Sequence, residues 1–337
     1  MPTSLRVGEG AQTVYEFDHG LPKLEHEWSK TEAHKTAGRR GAEGKITLRV
    51  VDSTGAPVPD ASVEAWFWRT YDDGTEVNRQ TDSDRLVALG GTSVADMHFT
   101  IRKEGHYTTH LRYWFSKRGY DCVKDGRWQP WNPVLAVTLK DIRMPIQLTH
   151  KNTEILFPAN TDTGFDFIIG DWIEPYGRGV FADAAFHISG VALDGRVFHY
   201  TNVLSFVEGS GFVPSMPDTF SQLKSDYLAP ENGYLPSMIF LYDYDGTHEG
   251  SKESSQREKI LYFKVGRQID RPVRYGKLVG GVIGGLAYPD TNTAYLGFSY
   301  YINPNDGDRN LEYEDTYEFR NILNTPHLDV AQKGDME

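Results

Sequence analysis

With 337 residues, 39% of them hydrophobic and 13% aromatic, the chain is long enough for two domains with sizeable cores. Its 47 acidic residues against 35 basic ones give a net charge of −12, which argues against nucleic acid and anionic membranes as partners, since both are bound through Lys and Arg. A single cysteine, Cys122, excludes an intramolecular disulfide and a Cys-rich zinc site.

Tyr, Phe and Trp favour pleated surfaces, and abundant Gly and Pro supply turns, so the expected class is all-β. Residues 1–44 are polar and mixed in charge, and are expected to form an N-terminal arm and linker. Leu21, Leu24 and Trp28 fall at i, i+3 and i+7, the spacing of one short amphipathic helix. The stretch HKTAGRRGAEG reads as linker. The opening residues hold no apolar run, so no signal peptide is visible. The compartment is left open by this: extracytoplasmic if a signal peptide has been removed, otherwise cytoplasmic. No segment reaches the roughly 18 apolar residues of a membrane helix, so no membrane insertion is expected.

From residue 45 the period changes to that of strands. Ile46, Leu48 and Val50 alternate with polar neighbours, and Val63, Ala65 and Phe67 alternate with Glu64, Trp66 and Trp68. Between them lies a turn rich in Asp, Gly and Pro. RTYDDGTEVNRQTDSD reads as a polar loop. SVADMHFTI, THLRYWF and PVLAVTLKDI are further strands, closing a first sandwich over 45–142.

The run Gly55-Ala56-Pro57-Val58-Pro59-Asp60-Ala61-Ser62-Val63, with the later Gly105-His106-Tyr107, resembles the carboxypeptidase regulatory-like (transthyretin-like) family over about residues 46–140. The resemblance implies a transthyretin-like β-sandwich. Such domains are mostly accessory: they pack, present surfaces or join other modules, and the fold brings no activity with it.

A second β-rich domain is expected over 143–323. GFDFIIGDW, ADAAFHISGVA, RVFHYTNVLSFV, SMIFLYDY, KILYFKV, KLVGGVIGGLAY and TAYLGFSYYIN all read as strands. The fold class is thus two β-sandwich domains with short terminal arms. One helix is expected in PDTFSQLKSDYL, with Phe220, Leu223 and Tyr227 on one face. The segments DGRWQPWNP and GDWIEPYGRG resemble parts of uncharacterised bacterial proteins that carry the regulatory-like domain. The tail, 324–337, is polar and expected to be loose.

Motifs for catalysis are incomplete. The intradiol ring-cleaving dioxygenases, built on a related sandwich, hold iron with two Tyr and two His, including an H-x-H pair. Here the stretch is His110-Leu111-Arg112, and a strand would put His110 and Tyr113 on opposite faces. His26-Glu27-Trp28-Ser29-Lys30 begins like a zinc-peptidase helix and lacks its second histidine. Gly209-Ser210-Gly211 is too short for a serine-hydrolase elbow. Gly280-Gly281-Val282-Ile283-Gly284-Gly285 lacks the spacing of a nucleotide loop and reads as close-packed or bulged strand.

Two kinds of binding candidate remain. Trp128 and Trp131 flank Gln129-Pro130, and an exposed aromatic pair stacks on sugar rings or anchors a protein partner; otherwise both fill the seam between the domains. Trp172 and Tyr176 carry the same ambiguity. Asp243, Asp245 and Glu249, and separately Asn305 and Asp308, place oxygen ligands on Gly-containing turns, as a calcium site would; ordinary hairpin turns use the same residues. No other cofactor is expected.

The leading expectation is a non-enzymatic binding or structural protein at an extracytoplasmic surface or in an assembly, with a protein or glycan partner or a second copy of itself. One alternative is an enzyme acting on polysaccharide or another small polar substrate, with its site in the second domain. The other is a subunit of a larger particle or filament.

Overall fold

The structure, a computed structural model, describes residues 4–7, 12–16, 32–69, 74–83, 86–94, 96–115, 123–193, 197–218, 220–244, 252–253, 259–266, 271–287 and 292–313. It is all-β apart from one short helix, and the strands build several sheets packed as sandwiches. The chain divides into two compact units, residues 1–143 with 219–222, and residues 144–218 with 223–337.

In the first unit, β1 (Ser4–Val7) and β2 (Gln12–Glu16) precede α1 (Glu32–Arg40), and β3 (Ala42–Asp52), β4 (Ser62–Trp68), β5 (Gly74–Gln80), β6 (Leu86–Ser93), β7 (Asp96–Arg102), β8 (Thr109–Trp114), β9 (Val123–Lys124), β10 (Arg127–Trp128) and β11 (Val134–Leu139) follow. Among the described residues one sheet runs β1-β2-β11-β3-β10-β9, with β6 also pairing β3, and a second runs β5-β4-β7-β8. Strands β3 and β11 are parallel, from Val134 opposite Thr47 to Leu139 opposite Asp52. Alternation decides the core: Ile46, Leu48 and Val50 pack with Val63, Ala65, Phe67, Phe99 and Ile101 of the other sheet.

Three sequence expectations change here. Of the stretch read as linker, residues 34–40 belong to α1, a helix that buries only His34 and Ala37, and residues 42–44 open β3. Glu32 in its first turn and Arg39 and Arg40 in its last complement the helix dipole, and Gly41, at φ 83°, closes it with its N–H on the Ala37 carbonyl. Residues 12–16, expected within the arm, form β2, which pairs β11 in parallel. The loop after β4 contains β5, an edge strand exposed enough to need no apolar alternation. Leu21, Leu24 and Trp28 lie outside the described residues, as does the tail.

The second unit holds β12 (Thr149–Pro158), β13 (Asp162–Asp166), β14 (Asp171–Trp172), β15 (Ala184–Leu193), β16 (Val197–Phe206), β17 (Gly211–Ser215), β18 (Ser237–Tyr244), β19 (Lys252–Glu253), β20 (Ile260–Val265), β21 (Arg274–Leu286) and β22 (Thr293–Ile302). They form two antiparallel sheets, β12-β22-β21-β20-β17 and β14-β13-β15-β16-β18-β19. Between them lies an aromatic core centred on Phe165, whose ring meets Phe167, Trp172 and Phe298 at 4.9–5.0 Å, edge to face. The glycine run in β21 is a bulge: the register shifts between Val279 and Val282, and Gly280 and Gly281 take φ of 79° and 70°.

The described residues of 217–228 form no helix. Their backbone groups are claimed elsewhere: the Leu311 N–H bonds to the Tyr227 carbonyl, and the Gln222 N–H to that of Thr108. An isolated helix of this length is marginal in water, so tertiary pairing wins over its i, i+3 spacing.

Candidate functional site

The site is built at the edge of β13, where the chain enters a turn at Asp166 and returns at Asp183. Asp166 is fully buried and collects both ends of the intervening loop. One carboxylate oxygen accepts the N–H groups of Ile168 and Ile169, each at 3.1 Å; the other accepts those of Val180 at 3.2 Å and Phe181 at 3.0 Å. Arg271 adds a guanidinium, 2.9 Å and 3.4 Å from the two oxygens, and lies over the Phe181 ring at 4.8 Å. Burial alone would raise the Asp166 carboxyl; Arg271 and the loop amides reverse this and hold it below its ordinary range.

Asp183, also fully buried, accepts the Phe167 N–H at 2.9 Å and shares Arg271 at 3.3 Å, through Oδ2. Its Oδ1 has no hydrogen-bond partner among the described residues. Burial pushes this carboxyl up to about 6, with the Asp166 charge adding to the rise and Arg271 opposing it.

The loop so fastened is internally rigid. Asp171 accepts the N–H groups of Trp172 and Arg178, and Ile173 donates to the Gly164 carbonyl at 2.9 Å. A Cβ on Gly177 would lie 2.4 Å from the Asp171 carboxylate and the Trp172 carbonyl, so only glycine fits this approach. The loop's middle, Ile173 to Tyr176, with a cis Glu174–Pro175 bond, forms one wall of an open pocket of about 480 Å³.

Strand β13 and its neighbour supply the rest of that pocket through Asp162, Thr163, Gly164 and Ala185. Tyr176 is 37% exposed, leaving ring surface available. Asp162 pairs with His187 at 2.8 Å, and Glu174 adds a second carboxylate to the lining. The Thr163 side chain, 4% exposed and opposite Phe186, turns instead to the core face. The pocket therefore offers an aromatic face and two anionic acceptors.

Of the aromatic candidates, Tyr176 alone reaches this pocket. Trp172 is 3% exposed, set in the core against Phe165 and Phe186, and donates from Nε1 to Thr153 at 2.7 Å. Trp128 is fully buried in the first unit, stacked on Phe115 at 5.7 Å and donating to the Ser93 carbonyl, so it neither faces solvent nor pairs with Trp131 at a surface. Trp131 is half-exposed and carries the Arg127 guanidinium at 4.8 Å.

The calcium candidates are described only in part. Asp243 pairs with His199, while Asp245 and Glu249 lie outside the described residues. Asp308 accepts the Asn310 N–H and the Asn303 side-chain amide, and Asn303 accepts the Asn305 N–H. Among the described residues no group of three or more His, Cys, Asp or Glu is placed to hold a metal ion. His106 pairs with Asp141 and His110 with Thr100, whereas Tyr107 and Tyr113 are buried.

No protein-family model matches the chain, and no curated protein matches it. Partial structural likeness extends to 3-chlorocatechol 1,2-dioxygenase from Rhodococcus opacus, at 15% identity and TM-score 0.25 over 31% of this chain and 62% of that one. A hydroxyquinol 1,2-dioxygenase from Pseudomonas putida gives 13% and 0.23 over 30% and 57%, and a chlorocatechol 1,2-dioxygenase from Pseudomonas putida 14% and 0.22 over 30% and 61%. The chain thus spans less than two thirds of each, and at such TM-scores the likeness fixes neither fold nor activity.

Proposed function

We propose that the protein is a non-catalytic binding protein whose second unit takes a neutral, hydroxyl-rich ligand, the face of a glycan, in the pocket walled by Tyr176. The carrying observation is the partly exposed Tyr176 ring in a pocket also lined by Asp162 and Glu174. Asp162 and Glu174 accept from ligand hydroxyls, and Tyr176 supplies a ring face for stacking. The acidic lining and the net charge of −12 disfavour anionic ligands. The first unit, by its regulatory-like sequence signature, serves as an accessory module.

Calorimetric titration of the full chain with neutral oligosaccharides tests this. Binding that weakens about fivefold in Tyr176→Ala, for a contact of about 1 kcal/mol, supports it; no binding across neutral glycans removes it. A second reading rests on Asp162 and Glu174 lining one pocket, since glycoside hydrolysis needs two carboxylates. Turnover of chromogenic glycosides, abolished in Glu174→Gln, would favour the enzyme; binding without turnover favours the binding protein.

A further inference from the structure

The pocket wall is fastened in an unusual way. A single carboxylate, Asp166, ties the start of the loop through Ile168 and Ile169 to its end through Val180 and Phe181. A second, Asp183, ties the Phe167 N–H and shares the same guanidinium, with one oxygen facing no partner among the described residues. Among those residues one cation serves two buried carboxylates, so the knot carries an uncompensated negative charge when both are ionised.

We infer that the Asp166–Arg271–Asp183 knot is a proton-sensitive clasp on the ligand pocket, closing the wall from Phe167 to Ala182 most firmly in mild acid. For its effect on a ligand this rests on the pocket reading above; for its effect on the loop it does not. Among the described residues the ionisable groups around Asp183 are Asp166 from β13, Arg271 from the segment before β21, and Tyr300 from β22, whose hydroxyl donates to the Phe167 carbonyl at 3.0 Å. Lys151 of β12 approaches Gly170 beside that hydroxyl. Burial holds Tyr300 far above the neutral range, so it stays protonated throughout. Asp166, held low by Arg271, stays ionised. Asp183 is the member of this set that changes charge between acid and neutral pH.

The direction follows from linkage. Opening the loop to water returns Asp183 from about 6 to its ordinary 3.8. The closed loop thus binds the proton more tightly than the open one, and closure is favoured by acid. The extra stability is fully present below 3.8 and is lost as pH rises through about 6. With these two values, opening is about tenfold rarer at about pH 5 than at about pH 7.5.

Hydrogen exchange of the full chain, read by mass spectrometry on peptides spanning 167–182 and corrected for intrinsic rates, measures this opening. The expected result is about tenfold greater protection at the lower pH in the wild type. No change is expected in Asp183→Asn, nor in peptides covering β4 of the first unit. Equal protection at both pH values in the wild type overturns the clasp. So does a pH response that survives in Asp183→Asn, which would assign it to another group. Should Asp183→Asn fail to fold, the wild-type midpoint decides: a value near 6 supports the clasp and one below about 4.5 rejects it. Titrating a neutral oligosaccharide in parallel separates the two ideas. A pH-dependent loop without ligand binding sinks the pocket and leaves the clasp; a bound ligand beside a pH-independent loop does the reverse.

Discussion

Trp172 and Tyr176 stand four residues apart on one loop, and truncating each to alanine should give opposite results. The Trp172 side chain is almost entirely buried, with ring contacts at 4.9 Å to Phe165, 5.6 Å to Phe186 and 5.9 Å to Phe298, and a hydrogen bond of 2.7 Å to Thr153. Removing a Trp buries roughly 150–250 Å² less, about 4–6 kcal/mol of transfer energy at about 25 cal/mol per Å². Measured losses for such truncations run about 3–5 kcal/mol, because the cavity partly collapses. Trp172→Ala should therefore lower the second unit's unfolding transition by about 10 °C in scanning calorimetry. Trp172→Phe should recover most of this, short of about 1 kcal/mol for the hydrogen bond to Thr153. Tyr176→Ala should shift the transition little, because its ring is half-exposed, while weakening glycan binding. A Trp172→Ala protein that keeps its transition within about 1 kcal/mol of wild type would refute the core assignment and return Trp172 to the list of ligand contacts.

Other substitutions address the knot and the first unit. Asp166→Asn replaces one of two acceptor oxygens with a donor facing backbone N–H groups and strips Arg271 of its closest carboxylate. A loss of about 3–5 kcal/mol is expected in denaturant titration, and one under about 1 kcal/mol would show that the loop does not depend on it. Asp183→Asn should instead stabilise the protein near pH 7.5 by about 1–3 kcal/mol, since it removes the charge that burial disfavours. Its advantage should vanish below about pH 4, where wild-type Asp183 is protonated in both states, as thermal unfolding across pH would reveal. In the first unit, Gly91→Ala would place a Cβ 2.8 Å from the fully buried Phe67 ring, which cannot yield; about 1–3 kcal/mol of lost stability is expected by calorimetry.

Most of the strands were legible because one face of each is buried. In β22, Leu296, Phe298 and Tyr300 point inward and leave an unmistakable period of two. Exposed elements gave no such signal: β5 buries almost nothing, and α1 hides only two small or polar side chains. The reverse error, a helix over 217–228, came from apolar spacing that serves separate tertiary contacts. At the site, Tyr176 could be singled out as an aromatic in a loop of Gly and Pro, yet nothing local separates it from the buried Trp172. Arg271 meets Asp166 across 105 residues and Asp183 across 88, so only the fold unites them.

The short segment Thr219–Gln222 belongs to the first unit, though it follows most of a β-sandwich that does not. It lines the open side of β8: the His110 N–H reaches the Phe220 carbonyl at 2.8 Å, the Gln222 N–H reaches that of Thr108, and Phe220 packs on the first core. A fragment ending at Arg143 would keep β8 as a bare edge, exposing unpaired amides and an apolar gap to any neighbouring chain. On the ribosome, the N-terminal sandwich would likewise remain unfinished until residue 222 had emerged, so its final closure must await synthesis of chain that belongs mainly to its companion. Dissecting the protein at the apparent boundary should therefore yield an aggregation-prone first half, whereas a fragment supplied with residues 219–222 as a separate peptide should be rescued.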